Sequence, residues 1–482
     1  LSRKVSLLKG RSNYLCPERL AKNIKVMTET VEPDLLSQLV RVREWSQLSR
    51  TGDLNELSDK DLKSVGGLIT STTDNCLGGE CPSVDVCPLY RAREKAVHAD
   101  IVIVNHHLLM ADLAMKEESI SSLLPSADVV IVDEAHQISS VARHFFGETV
   151  TSGQLMELSR DVKRELQLLG NDHPELRRSA MGYEDSVNGL SRVFSMNPAI
   201  DLEELLTMVE IQDAIDEMDL SFSTLAELLE TSAIRSKVLQ QCYQRCLRLM
   251  DRFAVLTEQV EADSVYAHWI ERQEKSFTLR LSPVVIADSL SPFFQEPDKS
   301  WIFTSATLSV AEKFDHARSA LGLEYDPEYR FESPFDFSEQ VRGLIPRGIP
   351  VPGSNDHTTA LMAFCLPILK ANQGRSFILF TSYKALHAAR AIIAETGGIN
   401  YLVQGAMSRQ KLLDKFKIIP RCVLLATQGF WEGIDVKGTD LRCVVIDKLP
   451  FTNPSDPLHV AQMRLAAAKG ENGFSSVSIP DA

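Results

Sequence analysis

No run of eighteen or more apolar residues occurs in the 482-residue chain, so nothing in it reads as a membrane-spanning helix. Cysteine is sparse: nine in this length is far below a secreted disulfide scaffold and reads as reduced, cytosolic thiols. Basic charge is short as well, with 51 Lys and Arg against 65 Asp and Glu and a net charge of −14. That balance argues mildly against a nucleic-acid binder, which usually carries a basic face. The deficit is local, however. Residues 201–230 hold ten acids and no Lys or Arg, and without them the remainder is only −4, so basic grooves elsewhere stay open. The acidic run itself reads as a solvated helical face. Internal repeats and low-complexity segments are missing. So is a phosphate-cradling G-x-x-x-x-G-K-[ST] stretch, whose backbone N–H groups and lysine would neutralise the β/γ-phosphates of a nucleotide. The chain opens on Leu1 without a signal-like segment, which carries no information on targeting.

What is present is enough apolar material, 44%, for two to four domains. Three textures follow one another. Residues 1–140 mix helical patches with β-branched runs, IVIV at 101–104 and VVIV at 129–132. Each run ends abruptly in polar residues, as parallel strands do when functional groups sit at their carboxyl ends. Residues 141–285 read as almost wholly helical. Leu155, Leu158, Val162, Leu166 and Leu169 repeat at helical spacing before a stop at Gly170, and Val238, Cys242, Cys246, Leu249, Phe253, Leu256 and Val260 form a second stripe. Cys242 and Cys246 read as core thiols. From about 286 strand texture returns in WIFT (301–304), SFILF (376–380), CVLLA (422–426) and CVVI (443–446), with helical segments such as 358–371 between them. The Pro/Gly-rich stretch 344–354 leads into this second α/β layer.

Two stretches carry chemistry. DNCLGGECPSVDVCP at 74–88 places Cys76, Cys81 and Cys87 within a dozen positions. Thiolate ligation suits zinc or iron–sulfur, and spacing alone does not separate them. The absence of C-x2-C leans away from a zinc knuckle. Cys16, Cys81 and Cys87 are each followed by Pro, whereas Cys242, Cys246, Cys365, Cys422 and Cys443 are not. Proline stiffens a loop and recurs after cluster cysteines. His98, His106 and His107 lie nearby and are left out of the metal shell. VVIVDEAH at 129–136 delivers Asp133 and Glu134 at the end of a strand. Nucleotide hydrolysis needs one carboxylate to hold Mg²⁺ and a second to orient and deprotonate water.

DEAH is followed by TSATL (304–308), LFTSY (379–383) and GFWEGIDVKG (429–438). With KGRSNYLC (9–16), VNHHLL (104–109) and DKLPFTNPSDP (447–457), the set resembles the iron–sulfur branch of the superfamily 2 helicases, the branch of XPD and the bacterial DinG and YoaA proteins, and within it the YoaA group. The resemblance spans essentially the whole chain, with the helical middle its least distinctive part.

The resemblance implies an α/β fold of two RecA-like motor domains, both partial here, with an iron–sulfur insertion and a helical arch insertion. Residues 1–95 would be motor domain 1 with the cluster insertion, 96–140 the DEAH strand region, 141–285 the arch, 286–335 the return to motor domain 1, and 336–482 motor domain 2. Asp133 would bind Mg²⁺ and Glu134 activate water; His136, Ser305 and Thr307 would relay nucleotide state to the DNA path. Glu432, Gly433 and Asp435 would face ATP from the second motor domain, and Asn105 and His106 would lie near the DNA. Cys16 joins Cys76, Cys81 and Cys87 as the fourth ligand of a [4Fe–4S] cluster. The implied activity is ATP-dependent 5′→3′ translocation on single-stranded or forked DNA in repair or replication, in a cytoplasmic, nucleoid-associated bacterial protein. The clamp-loader chi subunit is an implied partner to which no residue here can be assigned. Tyr14, Trp45 and Trp431 are candidate base-stacking aromatics that read more readily as core.

The family's arginine motif, Q-x-x-G-R-x-x-R, is missing along with the phosphate loop. The expectation is therefore a segment of a longer helicase, ATPase-deficient by itself. The alternative is a non-catalytic, metal-stapled DNA-binding or scaffold protein derived from such a motor. A helicase–nuclease fusion finds no nuclease motif.

Overall fold

The structure, a computed structural model, describes residues 3–30, 33–57, 59–117, 122–197, 201–258, 265–310, 312–324, 327–431, 433–436 and 438–479. Its two units are Leu1–Asp326 with Ser455–Gly470, and Pro327–Pro454 with Glu471–Ala482. In chain order the strands of the first unit are β1 (Val5–Leu7), β2 (Ile101–Ile103), β3 (Val129–Asp133), β4 (Glu148–Thr151), β5 (Tyr266–Gln273), β6 (Ser276–Pro283) and β7 (Ser300–Thr304). Those of the second are β8 (Ser376–Leu379), β9 (Asn400–Val403), β10 (Cys422–Ala426) and β11 (Cys443–Ile446).

Near the amino end of the first unit, α1 (Pro17–Thr30), α2 (Pro33–Leu48) and α3 (Asp59–Ile69) close a small core of Leu15, Leu20, Leu39, Val42, Val65 and Ile69. α4 (Pro88–Val97) follows the cysteine-bearing turns and leads into β2. The β-branched runs of the sequence become two parallel pairs. β1 lies beside β2, and β3 beside β7, with Asp133 opposite Thr304. α5 (His106–Glu117) and α6 (Ile138–Arg143) share a core with one face of the second pair, where Val130, Val132, Trp301 and Phe303 point. The other face is open: Val129, Ile131 and Ile302 are half or more exposed, as are Val5, Leu7, Ile101 and Ile103 or nearly so. Parallel strands are ordinarily covered on both faces, so these strands are not the fully buried ones that their composition predicts.

Residues 148–283 form the largest core of the molecule. α7 (Ser152–Leu168) starts at a Thr151/Gln154 capping box, buries Leu155, Leu158, Val162 and Leu166, and ends before Gly170 at φ 90°. α8 (Pro174–Met196), the short α9 (Leu202–Leu205), α10 (Val209–Ser232) and α11 (Lys237–Thr257) complete the bundle. Phe222 of α10 meets Tyr183 edge-on at 5.2 Å and Phe253 at 5.8 Å. Truncating such a buried ring typically costs about 3–5 kcal/mol. The acidic run supplies α9 and α10, with Ile211, Met218, Phe222, Leu225 and Leu229 inward. Cys242 and Cys246 are core residues, while Val260 lies outside the described residues.

The bundle is not purely helical. An antiparallel sheet of order β4-β6-β5 packs against it. Its signal was the alternation of Phe277, Leu279 and Leu281, which all face the bundle core. α12 (Ala287–Phe294) and α13 (Asp315–Leu321) flank β7 in sequence.

The second unit holds a parallel sheet of order β11-β8-β10-β9. Here β8 and β10 are buried at every residue. After the short α14 (Phe337–Gln340), α15 (His357–Ala371) and α16 (Tyr383–Thr396) pack on the sheet core of Ile378, Phe380, Val423 and Leu425. α17 (Arg409–Ile418) packs with Phe377, Leu424 and Phe430. α18 (Pro457–Ala468) returns to the first unit against β5.

Candidate functional site

The parallel pairing of β3 and β7 ends with Asp133 beside Thr304, so the residues that follow each strand emerge side by side. Glu134 takes φ 50°, ψ 46°, a left-handed conformation costly for a side chain larger than hydrogen. His136 Nδ1 lies 2.8 Å from Ser305 Oγ, across 169 residues of sequence. Ser305 Oγ donates to Glu134 Oε2 at 3.3 Å and lies 3.3 Å from Thr307 Oγ1. The Glu134 N–H donates to Asp133 Oδ1 at 3.0 Å, and His106 Nε2 contacts the Asp133 carbonyl at 2.7 Å. Asn105 caps the start of α5 by accepting the Leu108 N–H at 2.9 Å. Asp133, Glu134, His136, Ser305, Thr307 and His106 therefore share one site. Asp133 is exposed, and among the described residues its Oδ2 has no partner, which leaves a hard oxygen of the kind Mg²⁺ prefers.

In the second unit, β10 is followed by Thr427, whose N–H and hydroxyl both meet Gln404 Oε1, at 2.6 and 3.0 Å. Beyond it Gly433 takes φ 63°, and a Cβ there would lie 3.4 Å from Arg409 Nη2. Arg409 itself stacks over the Phe430 ring at 5.6 Å. Asp435 is exposed, and Glu432 lies outside the described residues.

The four cysteines singled out by sequence line one cavity of about 80 Å³, together with Cys242 and Arg245. Proline has a local role at two of them. Pro17 and Pro88 open α1 and α4, so Cys16 and Cys87 stand where a helix begins; the missing proline N–H is no loss there. Cys81 closes the tight turn Gly78–Glu80. The Cys76 sulfur accepts the Gly78 N–H at 3.4 Å, and the backbone N–H groups of Arg19 and Ser83 favour the thiolates of Cys16 and Cys81. Burial pushes the Cys16 thiol up, the Arg19 N–H opposes it, and Cys76 and Cys87 add to the rise. Burial pushes Cys81 up as well, against the Ser83 N–H and with Glu18, Cys76 and Cys87. Thiols that raise one another ionise together only when a cation compensates them. The donor chemistry fits an all-thiolate centre. Among the described residues, however, no group of three or more His, Cys, Asp or Glu is arranged to hold a metal ion. Cys242 is a different case: burial pushes its thiol far up, and it remains a neutral core group.

Sequence reasoning missed the seam behind this cavity. Asp161 of α7 receives Arg164 at 2.9 Å, Arg245 of α11 at 3.1 Å and Arg19 of α1 at 3.5 Å. Glu157 accepts from Arg19 at 3.2 Å and from Asn75 at 3.0 Å, and Gln241 Nε2 donates to the Cys76 carbonyl at 3.0 Å. The cysteine segment is thereby tied to α7 and α11. No local pattern announces such a network, whose members are as much as 165 residues apart, for Gln241 and Cys76. Tyr14 is buried, and Trp45 and Trp431 pack partly buried against cores.

Residues 365–482 match the family profile described as the helicase C-terminal domain, and residues 59–155 the one described as DEAD_2. The chain is 37% identical over 481 residues to the ATP-dependent DNA helicase YoaA of Escherichia coli (strain K12), covering 99% of the chain and 75% of that protein. It is 35% identical to the YoaA of Haemophilus influenzae (strain ATCC 51907 / DSM 11121 / KW20 / Rd), with the same coverage. It is 27% identical to the ATP-dependent helicase DinG of Mycobacterium tuberculosis (strain CDC 1551 / Oshkosh), covering 98% of the chain and 73% of that protein. Among solved structures an XPD helicase aligns with a TM-score of 0.50 at 14% identity, over 100% of the chain and 78% of that structure, a likeness of fold built on RecA-like domains. No described helix is long and apolar enough to cross a membrane.

Proposed function

The chain belongs to the XPD/DinG type of superfamily 2 helicases, with YoaA among its relatives, and from that premise we propose that it is the motor of an ATP-dependent DNA helicase stapled by a [4Fe–4S] cluster. The observation that carries the reading is the meeting of Asp133, Glu134, His136 and Ser305 at adjoining strand ends. Asp133 would hold Mg²⁺ through its open oxygen. Glu134, backed by Ser305, would accept the proton of the attacking water. His136 and Thr307, both tied to Ser305, would register the nucleotide's state. Gly433 and Asp435, with Glu432, would face the nucleotide from the second motor domain. In a chain that carries a phosphate loop, Glu134→Gln should keep nucleotide affinity and lose about 10³-fold in turnover, roughly 4 kcal/mol of barrier. Unwinding that survives this change would remove Glu134 from the role of base.

Cys16, Cys76, Cys81 and Cys87 would hold the cluster. When bound, it supplies a covalent staple between the start of α1 and the turns before α4. Support comes from their shared cavity, from the Gly78 N–H donated to Cys76, and from the backbone N–H groups of Arg19 and Ser83 that favour the thiolates of Cys16 and Cys81. Purified without oxygen, the protein should be brown and carry about four iron and four sulfide per chain. Exchange of any of the four for Ser should remove the colour and loosen residues 16–87 to proteolysis, while Cys365→Ser should do neither. A colourless protein with one zinc, or iron that persists without Cys16, would sink the assignment.

The expected track is single-stranded or forked DNA travelled 5′→3′, read by comparing unwinding of 5′-tailed and 3′-tailed duplexes. The resemblance further implies the clamp-loader chi subunit as a partner, tested by co-purification. Tight DNA binding with no turnover once a phosphate loop is supplied would favour the stapled-scaffold alternative.

A further inference from the structure

We propose that Gln404 is a positioning residue for nucleotide turnover, tying the stretch that opens at Thr427 and carries Gly433 and Asp435 to the strand end that carries Tyr383. The inference deepens the reading above, in which that stretch faces the nucleotide. Gln404 belongs to none of the motifs in the sequence. It follows β9, and only folding brings it between LFTSY and GFWEGIDVKG.

The backbone fixes where the side chain starts. β8, β9 and β10 are parallel neighbours, and their pairing runs on past the strands: the Gln404 N–H donates to the Leu425 carbonyl at 3.0 Å, and the Phe380 N–H to the Ala426 carbonyl at 2.8 Å. Gly405 follows at φ 93°, a backbone that favours glycine. Gln404 thus stands at the carboxyl edge of the sheet, where open parallel α/β sheets bind their ligands.

Its partners orient its amide. The Thr427 N–H can only donate, so the oxygen end faces it at 2.6 Å, and the same Oε1 accepts the Thr427 hydroxyl at 3.0 Å. The nitrogen end then donates to the Tyr383 hydroxyl at 3.3 Å. Both ends of one side chain are in use, and they join the carboxyl ends of three strands. Thr427 is only 8% exposed, so without Gln404 two donors would lose their acceptor away from water, and the entry to the stretch would shift. Arg409, at the start of α17, holds the same stretch further on by stacking over the Phe430 ring at 5.6 Å. Turnover is sensitive to such holds, since a misplacement of about 1 Å can cost about 10²-fold.

The test has two parts. In a chain that carries a phosphate loop, ATP turnover is measured for the wild type, Q404M, T427V and Q404M/T427V. Methionine keeps the length of the side chain and removes both amide ends. Q404M should lose about tenfold in kcat, with KM for ATP changed by less than about twofold. Q404M/T427V should be no slower than Q404M, because the hydroxyl acts through the amide. The control Q410A alters an exposed glutamine that bonds Asp414 on its own helix, and should keep the wild-type kcat. In the 482-residue chain, hydrogen exchange should quicken from Thr427 onward in Q404M and stay unchanged in β8 and α15. An unchanged kcat in Q404M overturns the role, as does a loss accounted for by KM or by a smaller folded fraction. Additive losses in the double variant overturn the action through Thr427. A wild type without ATP turnover overturns the motor reading itself. Exchange needs no turnover and still decides the hold: unchanged rates in Q404M overturn it.

Discussion

Replacing Asp161 by Ala removes the anion on which three guanidiniums converge. Arg245, only 2% exposed, would keep the Gln154 carbonyl at 2.9 Å and a distant Glu157 at 3.6 Å, but lose its direct carboxylate partner. Arg164 would lose its 2.9 Å bond and Arg19 its 3.5 Å contact. Hydrogen bonds to charged groups contribute about 1.5–3 kcal/mol each, and the carboxylate's own desolvation is recovered when it goes. The net cost expected is about 3–5 kcal/mol, the range for breaking a buried ion pair from one side. For a unit of roughly 340 residues the unfolding entropy is about 0.7 kcal/mol/K, so Tm should fall by about 4–7 °C. Calorimetry measures the shift. Hydrogen exchange should locate the loosening in α1, α7 and α11, beside the cysteine cavity. D161L/R245M, which removes both charges and fills the space, should be less damaging than D161A alone. A Tm shift under about 1 °C for D161A, or a double variant worse than the single one, would refute the idea that this seam joins the cysteine segment to the bundle.

Further outcomes follow from individual residues. Glu134→Gly should raise stability by about 0.5–1 kcal/mol while removing the carboxylate, because φ 50° suits Gly; a fall in Tm would contradict the strain argument. Gly374→Ala should destabilise the second unit by about 2–4 kcal/mol, since at φ +74° the new Cβ would lie 2.3 Å from the Arg421 carbonyl carbon. Exposure of buried Cys422 to a thiol reagent in urea would report it. The Cys422 thiol is pushed up to about 11 by burial. Below pH 9 it is neutral in both folded and unfolded chains and its contribution is fully present. Between about pH 9 and 11 the unfolded chain sheds the proton first, so stability should fall through that window, and Cys422→Ala should flatten the fall. Phe222→Ala should cost about 3–5 kcal/mol in the bundle, read from its denaturant midpoint.

Much of this protein was determined locally and could be read from the chain. The α7 and α11 stripes, the DEAH-bearing strand and the runs that became β7, β8, β10 and β11 follow from hydrophobic period and β-branching, which act between near neighbours. The Asp-Glu pair and the cysteines were visible as residue types suited to one chemistry. β1 (VSL) and β9 (NYLV) lack the β-branched run that marks the other parallel strands, and the β5–β6 hairpin was masked by the helices around it. Tertiary structure alone decided which groups meet. It brought Ser305 to His136, gathered Cys16 with Cys76, Cys81 and Cys87 around one cavity, and set Arg245 on Asp161. Such encounters depend on how elements far apart in sequence pack, and the apolar burial that drives packing is non-directional, so no short window of residues encodes them.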